Sequence, residues 1–399
     1  MQSGFRAVQI ADRVYWVGAI DWGLRNFHGY LTSRGTTYNA FLVMADRPAL
    51  IDTVKPEFGS EMLARIASII DPSKVEIIVS NHAEMDHSGF LPRAIEVIKP
   101  QRVIASTQGR EALEAHFHLG YPIEPVKTGD TLDLGGATLK FVEARMLHWP
   151  DSMLSYLVEG GVLFSNDAFG MHLAGSERFA DEVDADVLRE EAAKYFANIL
   201  LPFSPIITAF LGKLPGFGLD VRMIAPDHGP LWRKDPGWIV ERYAEWAAQK
   251  PSNKAVVVYD SMWGSTAKMA RALGDGLTAG GARTVLMPLD GAHRSDVATQ
   301  LLGAGALLVG SPTVNGQIFP ALADAMTYME GLKPKNLVGA SFGSYGWSGE
   351  AVAHLDERLG RMKVELLRPG LRLKYVPTGD QLEECRNLGL AVAERLKRV

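Results

Sequence analysis

Four side chains that can bind a metal ion fall within six residues, at His82, Glu84, Asp86 and His87. They follow Val75–Val79, a short apolar run rich in β-branched residues that predicts a buried strand. The cluster therefore lies on a loop leaving a strand, where rigid folds commonly present reactive groups. A helix cap or a histidine on an exposed loop would explain one or two of these residues, but not all four. Dense groups of His, Asp and Glu predict a metal site.

Three further potential ligands share the setting of this cluster. His148, Asp167 and His228 each follow an apolar run that predicts a strand. A cluster and then three separate residues, each placed where a strand ends, are a stronger signal than any one of them alone. We therefore treat the seven side chains as one candidate site.

Length and composition limit the class of protein. A chain of 399 residues favours two domains, and 47% apolar with 22% charged residues is typical of soluble globular protein. A net charge of -5 without a long basic run argues against nucleic acid as a partner. We expect no membrane span and no signal peptide. The single cysteine, Cys385, excludes an intrachain disulfide and a four-cysteine iron–sulfur centre, and a cytoplasmic location is the simplest prediction.

The order of predicted elements changes along the chain. Residues 1–250 show runs of strands, with hairpins at 39–53, 131–144 and 154–164 and helices between them, which favours a sandwich of sheets covered by helices. The stretch Lys250–Asn253 is typical of a linker. From 254 to 399, strands alternate with helices, which predicts a doubly wound parallel sheet.

Three loops of the second part leave strands at the edge where such sheets bind ligands. The first, Ser261–Thr266, offers hydroxyls and backbone N–H groups at a helix N-terminus, which suits one phosphate; helix capping by Ser265 or Thr266 is the alternative. Neither GxGxxG nor GxxxxGK[ST] is present, which argues against a dinucleotide and against a nucleotide triphosphatase. The predicted ligand-contacting residues are Ser261, Met262, Trp263, Gly264, Ser265, Thr266, Pro312, Thr313, Val314, Asn315, Gly316, Ser344, Tyr345, Gly346, Trp347 and Ser348.

Residues 1–250 resemble the metallo-β-lactamase fold, whose motif reads His-x-His-x-Asp-His with a later His, Asp and His. Glu84 stands at the second His position. Zinc hydrolases of that fold favour imidazole there, and a carboxylate makes the site harder and more anionic, which favours iron or manganese. The resemblance implies His82, Glu84 and His148 on one metal, Asp86 and His228 on the other, and Asp167 as the bridge. His87 either binds the second metal or hydrogen-bonds beside it.

Residues 254–399 resemble flavodoxin, which implies FMN as the ligand. Trp347 is the expected neighbour of the isoalloxazine ring, and Trp263 or Tyr345 could contribute. The alternative for Trp347 is a buried core position, but its flanking glycines favour a loop.

The two halves together resemble the flavodiiron protein family. The resemblance implies an α/β two-domain protein, with an N-terminal αββα sandwich over 1–250 and a C-terminal flavodoxin-like sheet over 254–399. It implies reduction of dioxygen to water and/or nitric oxide to nitrous oxide at two iron ions, with electrons relayed through FMN. It also implies a head-to-tail homodimer, with a dimer of dimers left open. His28 and Tyr195 are candidate neighbours of the metals that could set the preference between the gases.

Two other functions remain open at this point. A zinc hydrolase fused to a flavodoxin is disfavoured by Glu84 and by the redox domain. A redox carrier or gas sensor would bind the gas without turnover. Because the chain ends at Val399 with one cysteine, we expect no rubredoxin module and an external electron donor, either a small rubredoxin or a reduced flavin-type carrier.

Overall fold

The N-terminal part of the chain folds into two large β-sheets, of seven and five strands, and two further two-stranded sheets; helices pack on the first large sheet. The computed structural model describes residues 4–398, so the ends of the predicted domains at 1–3 and 399 lie outside the described residues. The strands are β1 Val8–Ala11, β2 Val14–Trp16, β3 Ala19–Asp21, β4 Asn26–Phe27, β5 Tyr30–Leu31, β6 Thr36–Tyr38, β7 Phe41–Val43, β8 Ala49–Ile51, β9 Ile77–Ser80, β10 Arg102–Ser106, β11 Ile123–Val126, β12 Thr131–Asp133, β13 Thr138–Glu143, β14 Met153–Leu157, β15 Val162–Phe164 and β16 Met223–Ala225. The α-helices are α1 Gly59–Ala67, α2 Met85–Ser88, α3 Leu91–Ile98, α4 Thr107–Phe117, α5 Ala185–Tyr195, α6 Ser204–Lys213 and α7 Gly237–Ala248.

The first sheet has the order β1-β2-β7-β8-β9-β10-β11. Its first four strands pair antiparallel, and the strands from β8 to β11 run parallel. Every residue of β9 is buried, because this strand has a neighbour on each side and apolar layers on both faces. That burial explains the continuous apolar run before the metal cluster, and it fixes the point where the cluster begins.

The second sheet has the order β12-β13-β14-β15-β16 and packs against the first. Apolar side chains of both sheets form one core, in which the rings of Phe41 and Phe164 lie 5.1 Å apart. The opposite face of the first sheet is covered by buried residues of α1, α3 and α4, among them Met62, Leu91 and Leu113. The predicted sandwich of sheets covered by helices is confirmed.

The C-terminal part forms a parallel sheet with helices on both faces. The elements are β17 Lys254–Tyr259, β18 Arg283–Pro288, β19 Ala306–Gly310, β20 Thr313–Val314, β21 Gln317–Ile318, β22 Val338–Tyr345, β23 Glu365–Leu366, β24 Leu371–Lys374, α8 Ser265–Ala279, α9 Arg294–Leu301, α10 Pro320–Leu332, α11 Ala351–Arg361 and α12 Gly379–Leu396. The strand order is β18-β17-β19-β22-β23, and β24 also pairs with β22. One face is covered by α8 and α12, and the other by α9, α10 and α11. The predicted doubly wound sheet is confirmed.

One strand is longer than its sequence predicts. The prediction ended this strand at Ala340 and placed Ser344 and Tyr345 in the loop that follows, whereas β22 continues to Tyr345. The small polar residues resemble a loop in sequence. They remain in the sheet because Phe342–Tyr345 pairs along its length with β24. Ser344 and Tyr345 are therefore at the end of a strand.

The described residues group into two units. The first contains the chain up to Tyr195 together with Pro205–Ala244, and the second contains Phe196–Ser204 together with the chain from Glu245 onward. The short segment Phe196–Ser204 thus belongs to the second unit, which nothing in the local sequence indicates. By length and composition alone, the helical run Ala185–Phe217 could cross a membrane, but half of its apolar window is buried, as is common for core helices.

Candidate metal centre and cofactor pocket

The seven predicted ligands lie where strands end. The cluster 82–87 begins just after β9, and its second half forms α2. His148 lies in the turn between β13 and β14, Asp167 follows β15, and His228 follows β16. Because β15 and β16 are parallel neighbours, they end side by side, which brings Asp167 and His228 to the same edge of the second sheet.

The seven side chains form two groups of potential metal ligands. Within each group, one nitrogen or oxygen atom per residue lies within 4.8 Å of the others. All of these residues are buried except His148, which is partly buried. The first group is His82, Glu84, His148 and Asp167, and the second is Asp86, His87 and His228.

The carboxylate of Asp167 faces both groups. Its Oδ2 lies 2.8 Å from His148 Nε2 and 3.3 Å from His82 Nε2, both in the first group. Its Oδ1 lies 3.1 Å from His87 Nε2 and 3.4 Å from His228 Nε2, both in the second. One oxygen therefore points at each group, which is the arrangement that a carboxylate shared between two cations requires.

The polar atoms at the centre of the cluster fit metal ions. His82 Nε2, His87 Nε2, both oxygens of Asp86 and Oδ1 of Asp167 are buried without a hydrogen-bond partner. A buried polar atom without a partner costs free energy, typically about 1–3 kcal/mol each. Imidazole and carboxylate donors suit iron, and binding a cation would satisfy all of these atoms together.

Two imidazoles are held so that Nε2 points into the cluster. The Nδ1 of His82 donates to Asp151 Oδ2 at 3.0 Å, and Asp151 also accepts from the Ala83 N–H at 2.6 Å. The Nδ1 of His228 donates to the carbonyl of Thr37 at 2.6 Å. Since a carbonyl and a carboxylate accept the hydrogen of Nδ1, the lone pair is left on Nε2, where a metal can take it.

The orientation of His87 is similar. Its Nε2 lies 3.4 Å from Asp86 Oδ1, and its Nδ1 lies 3.5 Å from Asp227 Oδ2. Asp227 is fully buried, and neither of its oxygens has a hydrogen-bond partner. The ring therefore lies between the metal cluster and a buried carboxylate, and its Nδ1 makes no hydrogen bond. Ligation by His87 remains a prediction.

Histidines and carboxylates of the cluster stabilise each other's charged forms. Burial lowers the pKa of His148, but hydrogen bonds to Asp167 and Glu84 outweigh it and raise the pKa to about 9. Burial raises the pKa of Glu84, but His148 and His82 outweigh it and lower the pKa to about 2. Because metal ligands must be deprotonated, protons compete with metal ions for these imidazoles, and metal binding releases protons.

A cavity of about 620 Å³ lies at the carboxyl ends of the strands of the second unit. Helix α8 begins there after Gly264, which has a φ of 84° and is the N-cap, so neither Ser265 nor Thr266 acts as the cap. The Ser261 hydroxyl accepts from the Ala267 N–H of the first turn at 3.4 Å. Trp347 is 90% exposed and is not a core residue. Twelve of the predicted contacts line this cavity: Met262, Trp263, Ser265, Pro312, Thr313, Asn315, Gly316, Ser344, Tyr345, Gly346, Trp347 and Ser348.

The other four predicted contacts, Ser261, Gly264, Thr266 and Val314, are not among the lining residues. The Ser261 hydroxyl accepts from the Gly264 N–H at 3.1 Å and shapes the loop, while the Thr266 hydroxyl bonds Ser344 Oγ at 2.8 Å. Val314 belongs to the short strand β20. Two further lining residues, Tyr375 and Val376, were not predicted.

Both parts of the chain match known families. A model described as ODP family beta lactamase matches residues 36–229, and one described as flavodoxin matches residues 257–389. The nitric oxide reductase of Moorella thermoacetica is 48% identical over 98% of each chain. The rubredoxin oxygen:oxidoreductase structure from Desulfovibrio gigas is 43% identical, with a TM-score of 0.96 over 98% of this chain and 99% of that one. A flavodiiron protein structure from Giardia intestinalis is 34% identical, with a TM-score of 0.96 over 100% and 98%.

The chain belongs to the flavodiiron protein family. It combines a β-lactamase-like domain with a flavodoxin domain, as the resemblance implied, and it is an oxidoreductase.

The two predicted neighbours of the metals occupy different settings in this flavodiiron protein. The side chain of His28 is 76% exposed, and its Nε2 lies 3.6 Å from Glu84 Oε1. It lines a cavity of about 300 Å³ at the mouth of the cluster. Tyr195 is 1% exposed, and its ring centre lies 6.3 Å from that of His228. Each residue therefore lies close to a different ligand group.

Several residues that support the cluster were not predicted. Asp151 stands three residues after His148, and Asp227 stands next to His228. Closeness in sequence to a candidate ligand is the one feature by which the sequence could indicate a supporting role for them. His172 is fully buried, with its ring centre 4.6 Å from that of His228.

Proposed function

We propose that the two groups of side chains hold two iron ions. His82, Glu84 and His148 bind one, Asp86, His228 and His87 bind the other, and Asp167 bridges them. The division is supported by the two groups of donor atoms and by the opposite directions of the Asp167 oxygens. Asp151 and the Thr37 carbonyl then keep His82 and His228 in the orientation that ligation needs.

The flavodiiron protein reduces dioxygen to water and/or nitric oxide to nitrous oxide, with two irons and FMN as cofactors. The observation that carries this conclusion is the match of both domains along essentially the whole chain to enzymes of this kind. Two irons and FMN together can supply the four electrons that take dioxygen to water. A cavity lined by His28 and Met85 reaches Glu84 and Asp86 and gives the gas a way to the metals.

FMN occupies the cavity of the second unit in this proposal. Its phosphate lies at the N-terminus of α8, where backbone N–H groups point at the anion. Its ring lies against Trp347, with Trp263, Tyr345 and the newly found Tyr375 around it. Aromatic faces of this kind add about 0.5–1.5 kcal/mol per pair beyond area burial.

The active assembly is a head-to-tail dimer that brings the FMN of one subunit beside the irons of its partner. At the mouth of the FMN cavity, Trp263 is 92% exposed and Trp347 is 90% exposed. At the mouth of the metal cluster, Met85 is 54% exposed. Exposed apolar surface of this kind is typical of an interaction site.

The electron donor is a rubredoxin or a reduced flavin carrier, and the protein is cytoplasmic. His28 and Tyr195 set the preference between the gases.

Anaerobic steady-state assays with each gas and one artificial donor test the function. We expect iron rather than zinc by metal analysis, stoichiometric FMN, and turnover of at least one gas. Zinc with ester hydrolysis would instead support a hydrolase. Stopped-flow mixing that shows gas binding without turnover would support a sensor.

Mixing two inactive variants tests the dimer. Ser265→Glu places a carboxylate where the phosphate is expected and should prevent FMN binding by charge repulsion. Asp167→Ala removes the shared metal ligand. If electrons cross between subunits, a mixed dimer contains one intact FMN facing one intact metal pair, so co-expression should restore activity that neither variant shows alone. Lack of restoration in purified mixed dimers would contradict the head-to-tail arrangement.

A further inference from the structure

The reaction consumes protons as well as electrons. Dioxygen takes four electrons and four protons to give two waters, and two nitric oxide molecules take two electrons and two protons to give nitrous oxide and water. In the proposed dimer the partner's FMN covers the metal mouth, and this inference rests on that proposed function. Protons then need an entry separate from the mouth.

Two ionisable side chains are buried on one face of α5. Glu191 is 3% exposed and Lys194 is 6% exposed, although Glu and Lys are among the residues least often buried. Glu191 is paired with Arg34, whose Nε lies 3.1 Å from Glu191 Oε1 and whose side chain is 46% exposed. The pair therefore links a buried carboxylate directly to the solvent-exposed surface.

A run of buried side chains leads from Glu191 and Lys194 to the metal cluster. The Lys194 ammonium lies 5.9 Å from the ring centre of Tyr30, and that ring lies 5.3 Å from the ring of His172. The ring of His172 lies 4.6 Å from that of the ligand His228. All of these residues belong to the first unit.

The inner end of the run offers a hydrogen-bond acceptor. Thr36 Oγ1 donates its hydrogen to the Thr37 carbonyl. The same oxygen lies 2.9 Å from His172 Nδ1 and accepts the hydrogen of that nitrogen. The lone pair of His172 then lies on Nε2, which is buried without a hydrogen-bond partner. The Thr32 hydroxyl is also buried without one. Buried polar atoms of this kind usually bind ordered water, which can bridge the gaps between side chains.

We propose that Glu191 and Lys194 form the proton entry of the metal centre, from which protons pass by ordered water beside Tyr30 and His172. Glu191 accepts a proton from solvent at Arg34 and releases one inward, so each proton delivered is replaced from bulk water. Electrons enter at the mouth and protons enter behind His228.

The charges around Glu191 suit this role. Burial raises the pKa of its carboxyl, Lys194 and Arg34 lower it, and Glu190 on the same helix raises it; the net direction is upward. A raised pKa brings a carboxyl closer to the working pH, where proton transfer is most effective. A purely structural alternative is that the Arg34–Glu191 pair only ties α5 to the segment before β6.

The test compares Glu191→Gln with Glu190→Gln, a matched control on an exposed neighbour. Glutamine can still accept from Arg34 but cannot carry the proton. We expect kcat for gas reduction to fall by about a hundredfold, at the lower end of what a positioned acid contributes, with KM unchanged. The solvent deuterium isotope effect should rise, and small weak acids should restore rate. Iron, FMN and the rate of FMN reduction should match those of the control.

A second measurement does not depend on activity. A carboxylic acid infrared band that titrates in the metal-free wild-type protein should be missing in Glu191→Gln and present in Glu190→Gln. Glu191→Asp should retain the proton and most of the rate. Equal kcat and isotope effect in the Gln variants would overturn the proton route, as would loss of iron in both Glu191 variants. Failure of the wild-type protein to reduce either gas would instead overturn the proposed function.

Discussion

Replacing Asp167 with alanine should remove both metal ions and abolish gas reduction. One oxygen of this carboxylate faces His148 and His82, and the other faces His87 and His228, so its loss opens both ligand groups at once. Loss of a buried carboxylate also leaves histidines with raised pKa values without their nearest counter-charge. We expect iron to fall from about two ions per chain to well under one.

The measurement is iron and FMN content of the purified variant, with the fold followed by circular dichroism. Asp220→Ala is the matched control, because that side chain is 81% exposed and lies outside the cluster. FMN should be retained in both variants, since the second unit contains its cavity. Retention of one full iron per chain in Asp167→Ala would show that the carboxylate serves only one metal.

The side chains that gather in the two groups could be selected from the sequence because each follows a strand. Apolar runs locate the strands, and the parallel order of β8 to β11 and of β15 with β16 brings their ends together. The residues that orient the ligands could not be predicted in this way. Asp151 lies 69 residues from His82, and the Thr37 carbonyl lies 191 residues from His228. No local pattern encodes such pairs, because they arise only when the sheets pack.

Part of the cofactor cavity could not be predicted from the sequence either. Its three loops follow predicted strands, but Tyr375 and Val376 follow β24, a four-residue strand without a clear sequence signal. Ser344 and Tyr345 belong to β22 because they pair with β24. Since the sequence does not predict β24, it also predicts too early an end for β22. The segment Phe196–Ser204 was also assigned to the first domain by its position in the chain, whereas the bonds of Asn198 to Ser295 and Tyr328 hold it in the second unit.

Replacing Glu84 with histidine should change the first ligand group from one that favours iron into one that favours zinc. The Oε2 of Glu84 lies 3.4 Å from His82 Nε2 and 3.3 Å from His148 Nε2, so the change adds a third imidazole where a carboxylate now stands. Imidazole is a softer donor than carboxylate and removes one negative charge, both of which weaken the preference for iron. We expect iron retention to fall by an order of magnitude or so, as when ligand surroundings are altered, and gas reduction to fall with it.

The variant should be expressed with iron and zinc supplied together, and both metals and FMN should be measured before assays with each gas. Glu84→Asp is the matched control, because it keeps the charge and should retain iron better than Glu84→His. FMN content should equal that of the wild-type protein in both, since Glu84 lies in the first unit and the FMN cavity in the second. Loss of FMN with iron retained would contradict the division of roles between the domains. Equal iron and equal gas reduction in Glu84→His would show that the carboxylate does not select the metal, and the preference would then have to come from Asp86 and Asp167.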